Sequence, residues 1–141
     1  MSYSLSFSKA VLVVVFVADK MRQEQFDYLS TASISEILNI PKPTLVKILQ
    51  SLAAEGIVDT KEGKLGGIRL IKSAENITVL DIFQAIEKGK SLFNTSFDIM
   101  AIGNRPEKAQ ASLGALFSKA EDDMKNLLAQ KTIAEILTDM N

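Results

Sequence analysis

Residues 42–55, KPTLVKILQSLAAE, carry Leu45, Ile48, Leu49 and Leu52 at three- and four-residue intervals, with Lys42, Thr44, Lys47, Gln50 and Ser51 on the other faces. That period predicts an amphipathic helix with one buried stripe. Two prolines mark its start. Pro41 suits a tight turn of fixed φ, and Pro43 suits a first helical turn, where amide hydrogens lack intrahelical acceptors; Gly56 ends the run. Upstream, STASISEILNI predicts a short helix with Ser30 or Thr31 as N-cap and Ile34, Ile37 and Leu38 at helical spacing. Asn39, which tolerates the left-handed conformation, closes it. A short helix, a tight turn and a second helix with a polar outer face make a helix-turn-helix. Ser35 is the small residue at the crossing, Asn39 holds the turn, and Ile34, Leu38, Ile40, Leu45 and Ile48 fill the apolar positions.

The flanking segments extend this pattern. Ser4, Ser6 and Ser8 offer caps for a first helix running to about Met21. Its valine-rich interior suits a strand equally well by propensity, and length and the lack of turn residues decide for a helix, apolar on nearly all sides and therefore in the core. A polar connection spans 22–30. After Gly56, IVDTK and IRLIK predict two short strands around EGKLGG, a hairpin with glycines at its tip. NITVLDIFQAIEKG predicts a further helix capped by Thr78 and ended by Gly89, with Leu80, Ile82, Phe83 and Ile86 apolar. Residues 90–105 show little period. From Pro106 to about Gln130 a long helix carries Ala109, Leu113, Leu116, Phe117, Ala120, Met124, Leu127 and Leu128 in one stripe. This stripe reads as a core helix of a monomer or as an intersubunit helix, the second being the sharper reading because a compact winged helix leaves it little to pack on. TIAEILTDM adds a last short helix capped by Thr132. The fold class is mainly α with one β-hairpin: a winged helix-turn-helix over 1–89, then linker and dimerisation helices over 90–141.

Composition narrows the chemistry. Among 141 residues there is no cysteine and no histidine, which excludes disulfides, thiolate nucleophiles, cysteine-ligated iron–sulfur clusters, zinc fingers and His-dependent triads. The carboxylates Glu36, Glu55, Asp81 and Glu87 fit helix surfaces or caps, and no spacing pairs them for catalysis or metal binding. The most apolar stretch, Ala10 to Ala18, is far shorter than a membrane span, and no basic segment precedes it as in a signal peptide, so a cytoplasmic protein is expected. Net charge is −1 but unevenly spread. Residues 42–72 hold six basic side chains (Lys42, Lys47, Lys61, Lys64, Arg69, Lys72) against three acidic (Glu55, Asp59, Glu62), whereas 73–141 hold seven against ten. A locally basic module guides a polyanion even where the whole chain is acidic.

The stretches ISEILNIPKPTLVKILQSLAAEGIV, KEGKLGGIRL and ENITVLDIFQAIEKG resemble the Rrf2 winged-helix transcription regulators, the IscR-, NsrR- and CymR-type family, over roughly residues 30–89. The N-terminal helix and the long C-terminal helix fit the same layout. The resemblance implies a homodimeric repressor placing recognition helix 42–55 in the major groove of a palindromic operator and wing 57–71 near the minor groove. It carries base reading onto Pro43, Thr44 and Lys47 and a phosphate contact onto Lys42. Where many members have a wing arginine this chain has Glu62, so Lys61 or Lys64 is expected to substitute; Arg69 is a further DNA-binding candidate. Sensor members hold an iron–sulfur cluster through three cysteines in the segment matching 90–105. Here that segment offers Ser91, Asn94, Thr95 and Ser96, so no cofactor is expected, and any signal is a small molecule, a protein partner or dimer assembly. Leu92, Phe93, Phe97, Ile99 and Met100 either line an apolar pocket or pack under the dimer helix. The competing expectation is a winged-helix interaction module that has lost DNA binding, kept open by Glu62 and the acidic pI of about 5.5.

Overall fold

The computed structural model describes residues 5–23, 27–64 and 66–141. The elements are α1 (Leu5–Gln23), α2 (Thr31–Leu38), α3 (Lys42–Ala54), β1 (Val58–Lys61), β2 (Gly67–Leu70), a 3-10 turn (Ala74–Asn76), α4 (Val79–Ile86), α5 (Asn104–Ala129) and α6 (Ile133–Asp139). The helical assignment of the valine-rich segment holds, and α1 is the partition of the core. Ala10, Val14, Val15 and Ala18 face a cluster containing Ile77, Ile82, Ile133 and Leu137. Val13 and Val17 face a second cluster containing Ile34, Ile40, Leu45, Leu49 and Ile68. A helix packed on two sides needs apolar residues on both, which explains a run too hydrophobic for a surface helix. Of the three serines expected as caps, Ser6 and Ser8 lie inside the first turns of α1, and Ser4 falls outside the described residues.

The helix-turn-helix is built by short-range hydrogen bonds. Ser30 caps α2, its hydroxyl accepting from the Ser33 amide at 3.4 Å. Asn39 adopts φ 52° and ψ 47°, a left-handed conformation that its short polar side chain tolerates. The Ser35 hydroxyl donates to the Ile40 carbonyl at 2.6 Å, and the Ile40 amide donates to the Ser35 carbonyl at 3.0 Å. These two bonds close the turn. Pro41 stands before α3 with φ −55°, and Pro43 occupies its first turn.

The hairpin pairs Val58 with Leu70 through Lys61 with Gly67, antiparallel. A contact within the connection expected to be merely polar adds to it: Leu29 and Ile68 exchange both backbone hydrogen bonds, at 2.7 and 2.8 Å. This crossing explains one wing glycine. A Cβ on Gly67 would stand 2.0 Å from the Leu29 carbonyl oxygen, and φ there is +146°.

The end of the chain returns to the body. Thr78 and Asp81 form a capping box on α4, and Thr132 and Glu135 form another on α6. The two caps lie side by side, because the Val79 amide donates to the Lys131 carbonyl at 2.9 Å and the Ile133 amide to the Ile77 carbonyl at 2.8 Å. Ile133 and Leu137 are thereby buried against α1. Glu87, expected on a surface or as a cap, takes the cap position: it is the C-cap residue of α4, and only the surface alternative fails, because its side chain is buried with its carboxylate 3.3 Å from the Lys90 ammonium. An ion pair at the rim is what makes such burial tolerable.

Residues 90–105 do not enclose an apolar pocket. Phe93 stacks on Phe117 with centroids 4.4 Å apart, the Leu92 amide donates to Glu121 at 2.5 Å, and Met100 and Ile102 are more than nine-tenths exposed. The cleft beneath, lined by residues including Ser91, Thr95 and Glu121, has about 90 Å³, below the size of an organic-ligand site.

Candidate nucleic-acid interface

Successive side chains on an α-helix turn by about 100°, so the buried set Leu45, Ile48, Leu49 and Leu52 on α3 leaves Pro43, Val46, Lys47, Gln50 and Ala54 on the opposite side, all exposed. Lys42 is exposed at the first position. Thr44 lies at the flank of the outer face and is half-buried. Of the residues expected to read bases, Pro43 and Lys47 therefore stand centrally and Thr44 does not. Val46 and Gln50 belong to the same surface, although the sequence reading placed Gln50 only off the buried stripe and gave Val46 no role. The signal was available: they follow Pro43 by three and seven residues, the helical repeat of one face. Their chemistry suits a major groove, glutamine pairing with adenine and valine packing on a thymine methyl.

Between this face and the wing runs a groove of about 820 Å³, walled by Val46, Gln50 and Ala53 on one side and by Thr60, Lys61 and Lys64 on the other, with Ser30 to Ala32 at its base. The wing tip presents Lys61, Glu62 and Lys64, all exposed, so two cations flank the acid and the local field stays positive.

Arg69 is held elsewhere. It sits across the hairpin from Asp59 in the ladder, and its guanidinium lies 3.2 Å from the Asp59 carboxylate. Its plane lies 4.8 Å from the Tyr28 ring centre, and Lys61 approaches the same ring at 5.5 Å. The Tyr28 hydroxyl donates to Asp59 at 3.0 Å, and this hydrogen bond is the main reason the Tyr28 pKa is raised above its ordinary value of 10.0. Arg69 thus braces the base of the wing and does not line the groove with Lys61 and Lys64.

The long helix α5 has no buried residue; at 26 residues it runs about 39 Å. The reading of α5 as a monomer's core helix is not supported. Its apolar stripe divides. Phe117, Ala120, Met124 and Leu128 are half-covered, whereas Leu113, Leu116 and Leu127 are 44, 60 and 67 % exposed. Leu113 and Leu116 stand within one turn and Leu127 lies about 16 Å farther along the same side, with the half-covered Ala120 and Met124 between them, so an apolar strip is left partly uncovered in the isolated chain.

Comparison with known proteins agrees with this layout. The Rrf2 family, described as "Iron-dependent Transcriptional regulator", matches residues 3–139. YwgB of Bacillus subtilis (strain 168), provisionally named an HTH-type transcriptional regulator, is 24 % identical over 115 residues, covering 77 % of this chain and 69 % of YwgB. Among solved structures, IscR of T. potens superposes with a TM-score of 0.70 at 19 % identity, covering all of this chain and 89 % of that one. CymR of B. subtilis, titled the global cysteine regulator, gives 0.70 at 18 % identity, covering 100 % and 99 %. The iron in the family's description does not fit this chain's donors. With no cysteine or histidine, the usual donors to an iron–sulfur cluster are missing, and the described carboxylates form no group of three or more placed to hold a metal ion.

Proposed function

Because the chain belongs to the Rrf2 family of transcriptional regulators, we propose that it is a sequence-specific DNA-binding repressor, acting as a homodimer on a palindromic operator. The observation that carries this reading is the exposed face of α3, where Pro43, Val46, Lys47 and Gln50 stand beside a lysine-bearing wing across an open groove. Gln50 reads bases, Lys47 reaches a base or the backbone, Val46 packs in the groove, and Lys42, Lys61 and Lys64 contact phosphates. Residues 1–89 supply the DNA-contacting surfaces and residues 90–129 the pairing of subunits through Leu113, Leu116 and Leu127, with α6 anchoring the long helix to the body. Occupancy of the operator excludes polymerase without further chemistry. Any input is a small molecule, a protein partner or dimer assembly itself.

Fluorescence anisotropy against the DNA upstream of its own gene and a scrambled duplex, at two salt concentrations, tests this. Preferential binding that weakens steeply between about 50 and 200 mM salt is expected. Equal, weak binding to both duplexes favours the second reading, a winged-helix interaction module. That alternative draws support from Glu62 at the wing tip and from the commitment of Arg69 to Asp59.

A further inference from the structure

The flank of α3 away from the wing carries a small polar cleft of about 170 Å³, lined by Ser6, Lys47, Ile48, Ser51, Ile86 and Lys90. Three separate stretches of chain meet there: the first turn of α1, the middle of α3, and the turn after α4. Two lysines and two serines line so small a volume. The position of Lys90 is determined twice over. Its amide donates to the Glu87 carbonyl at 3.0 Å, and its ammonium lies 3.3 Å from the buried Glu87 carboxylate. Its neighbour Lys88 reaches back to Glu55 at the end of α3, 3.0 Å away, fastening the 87–90 turn to that helix. Lys47 makes no ion pair among the described residues, so two cations meet only one acid. Like charges held at one cleft repel unless an anion enters.

The size and place of the cleft say which anion. At about 170 Å³ it is smaller than sites for organic ligands, while a single phosphate group needs only a few convergent donors. A helix with side chains is about 10–12 Å across and the major groove about 12 Å wide, so a helix lying in the groove has a phosphate backbone along each flank. The wing accounts for one flank of α3.

The geometry points to a clamp for a backbone phosphodiester on the other: Lys47 and Lys90, with Ser6 and Ser51, grip a phosphate of the second strand. Lys90 is thereby a DNA-contacting residue outside the helix-turn-helix, positioned by Glu87. This rests on the DNA-binding reading above and adds to it a contact from the segment that leads toward α5. Coupling between the long helix and operator affinity would pass through this turn.

The test compares the parent chain with Lys90→Ala, Lys90→Arg and Lys88→Ala by anisotropy on the upstream and scrambled duplexes across a salt series. Lys88→Ala removes the same charge two residues away, outside the cleft. The clamp predicts that Lys90→Ala weakens binding to both duplexes alike and reduces the salt slope by about 0.9 for each cleft engaged, that Lys90→Arg retains the parent slope, and that Lys88→Ala changes it less. A Lys90→Ala slope equal to that of the parent or of Lys88→Ala overturns the clamp while leaving the regulator reading intact. Absence of binding by the parent overturns both. Inorganic phosphate added at constant ionic strength distinguishes the source of the anion: weakening of the parent but not of Lys90→Ala is the competition the clamp predicts, whereas phosphate that raises the parent's melting temperature, but not that of Lys90→Ala, without changing its DNA affinity would assign the cleft to free phosphate and overturn the DNA contact.

Discussion

Asp59 accepts the Tyr28 hydroxyl proton at 3.0 Å while pairing with Arg69 across the hairpin at 3.2 Å, so one carboxylate ties the segment before α2 to both strands of the wing. The hydrogen bond raises the Tyr28 pKa above 10.0, with Arg69 opposing it. Asp59→Asn is expected to lower the Tyr28 pKa toward the ordinary value, read by ultraviolet phenolate absorbance as the difference between parent and variant. The sign for stability follows. A tyrosine whose folded pKa is raised contributes fully below its unfolded value and ceases to contribute as pH rises through the folded one. Lys131 behaves alike: its pKa is raised above 10.5, chiefly by its hydrogen bond to Asp139. Parent stability should therefore decline above about pH 10, and Asp59→Asn should lose the Tyr28 part of that dependence. An unshifted Tyr28 titration in Asp59→Asn would contradict the assignment.

Gly67 and Gly63 separate steric contact from backbone conformation. A methyl group at 67 meets the Leu29 carbonyl, while at 63 it meets open space at φ +102°. Gly67→Ala is expected to cost about 3 kcal/mol or more, combining overpacking with strain, and Gly63→Ala about 1 kcal/mol. Urea denaturation of the two variants gives the difference directly. Similar midpoints would mean that the Leu29 crossing is not maintained in solution.

The adjacent capping boxes of α4 and α6 should be coupled. Thr78→Ala and Thr132→Ala each remove one cap worth about 1 kcal/mol, but their backbones pair with each other, and sites in direct contact depart from additivity by about 0.5 kcal/mol or more. A double-mutant cycle in denaturant measures this. A strictly additive double variant would show that the two helix starts do not support one another.

Pairing through α5 has a direct assay. Leu116→Glu and Leu127→Glu put a charge on the exposed apolar strip without touching the core, because both side chains are largely exposed. In sedimentation velocity the parent is expected at twice 15.4 kDa and the variants at the monomer mass, with unchanged helical circular dichroism and weakened operator binding. A parent that sediments as a monomer would remove the homodimer from the proposal.

Local signals in the sequence correspond closely to local structure. Asn39 ends α2 in the left-handed region, Thr78 and Thr132 cap their helices, and Gly56 and Gly89 follow helix ends at φ 73° and 77°, because each depends on residues three or four apart. What was illegible depends on pairing at a distance. Nothing near Gly67 indicates that Leu29 crosses it, and nothing in TIAEILTDM says that Ile133 packs on α1 and not on a partner subunit. Arg69 looked like another wing cation until the strand register placed Asp59 opposite. Thr44 and Val46 differ by two positions on α3, and only the buried stripe drawn on the helix shows which of them faces outward. The family resemblance supplied the architecture without those contacts.

The seating of Ile133 and Leu137 against α1 also bears on how the chain reaches its folded form. The cluster that α1 completes with Ile48, Leu52, Ile77 and Ile82 lacks its last two members until more than a hundred further residues have been made, so during synthesis that side of α1 waits partly uncovered. Contacts of such sequence separation slow folding and lengthen exposure of the unfinished surface. The helix-turn-helix side, whose partners lie within the first half of the chain, can consolidate earlier. Maturation of this small protein is thus ordered from its helix-turn-helix side toward its last helix, and damage to α6 would be felt first as slow or aggregation-prone folding.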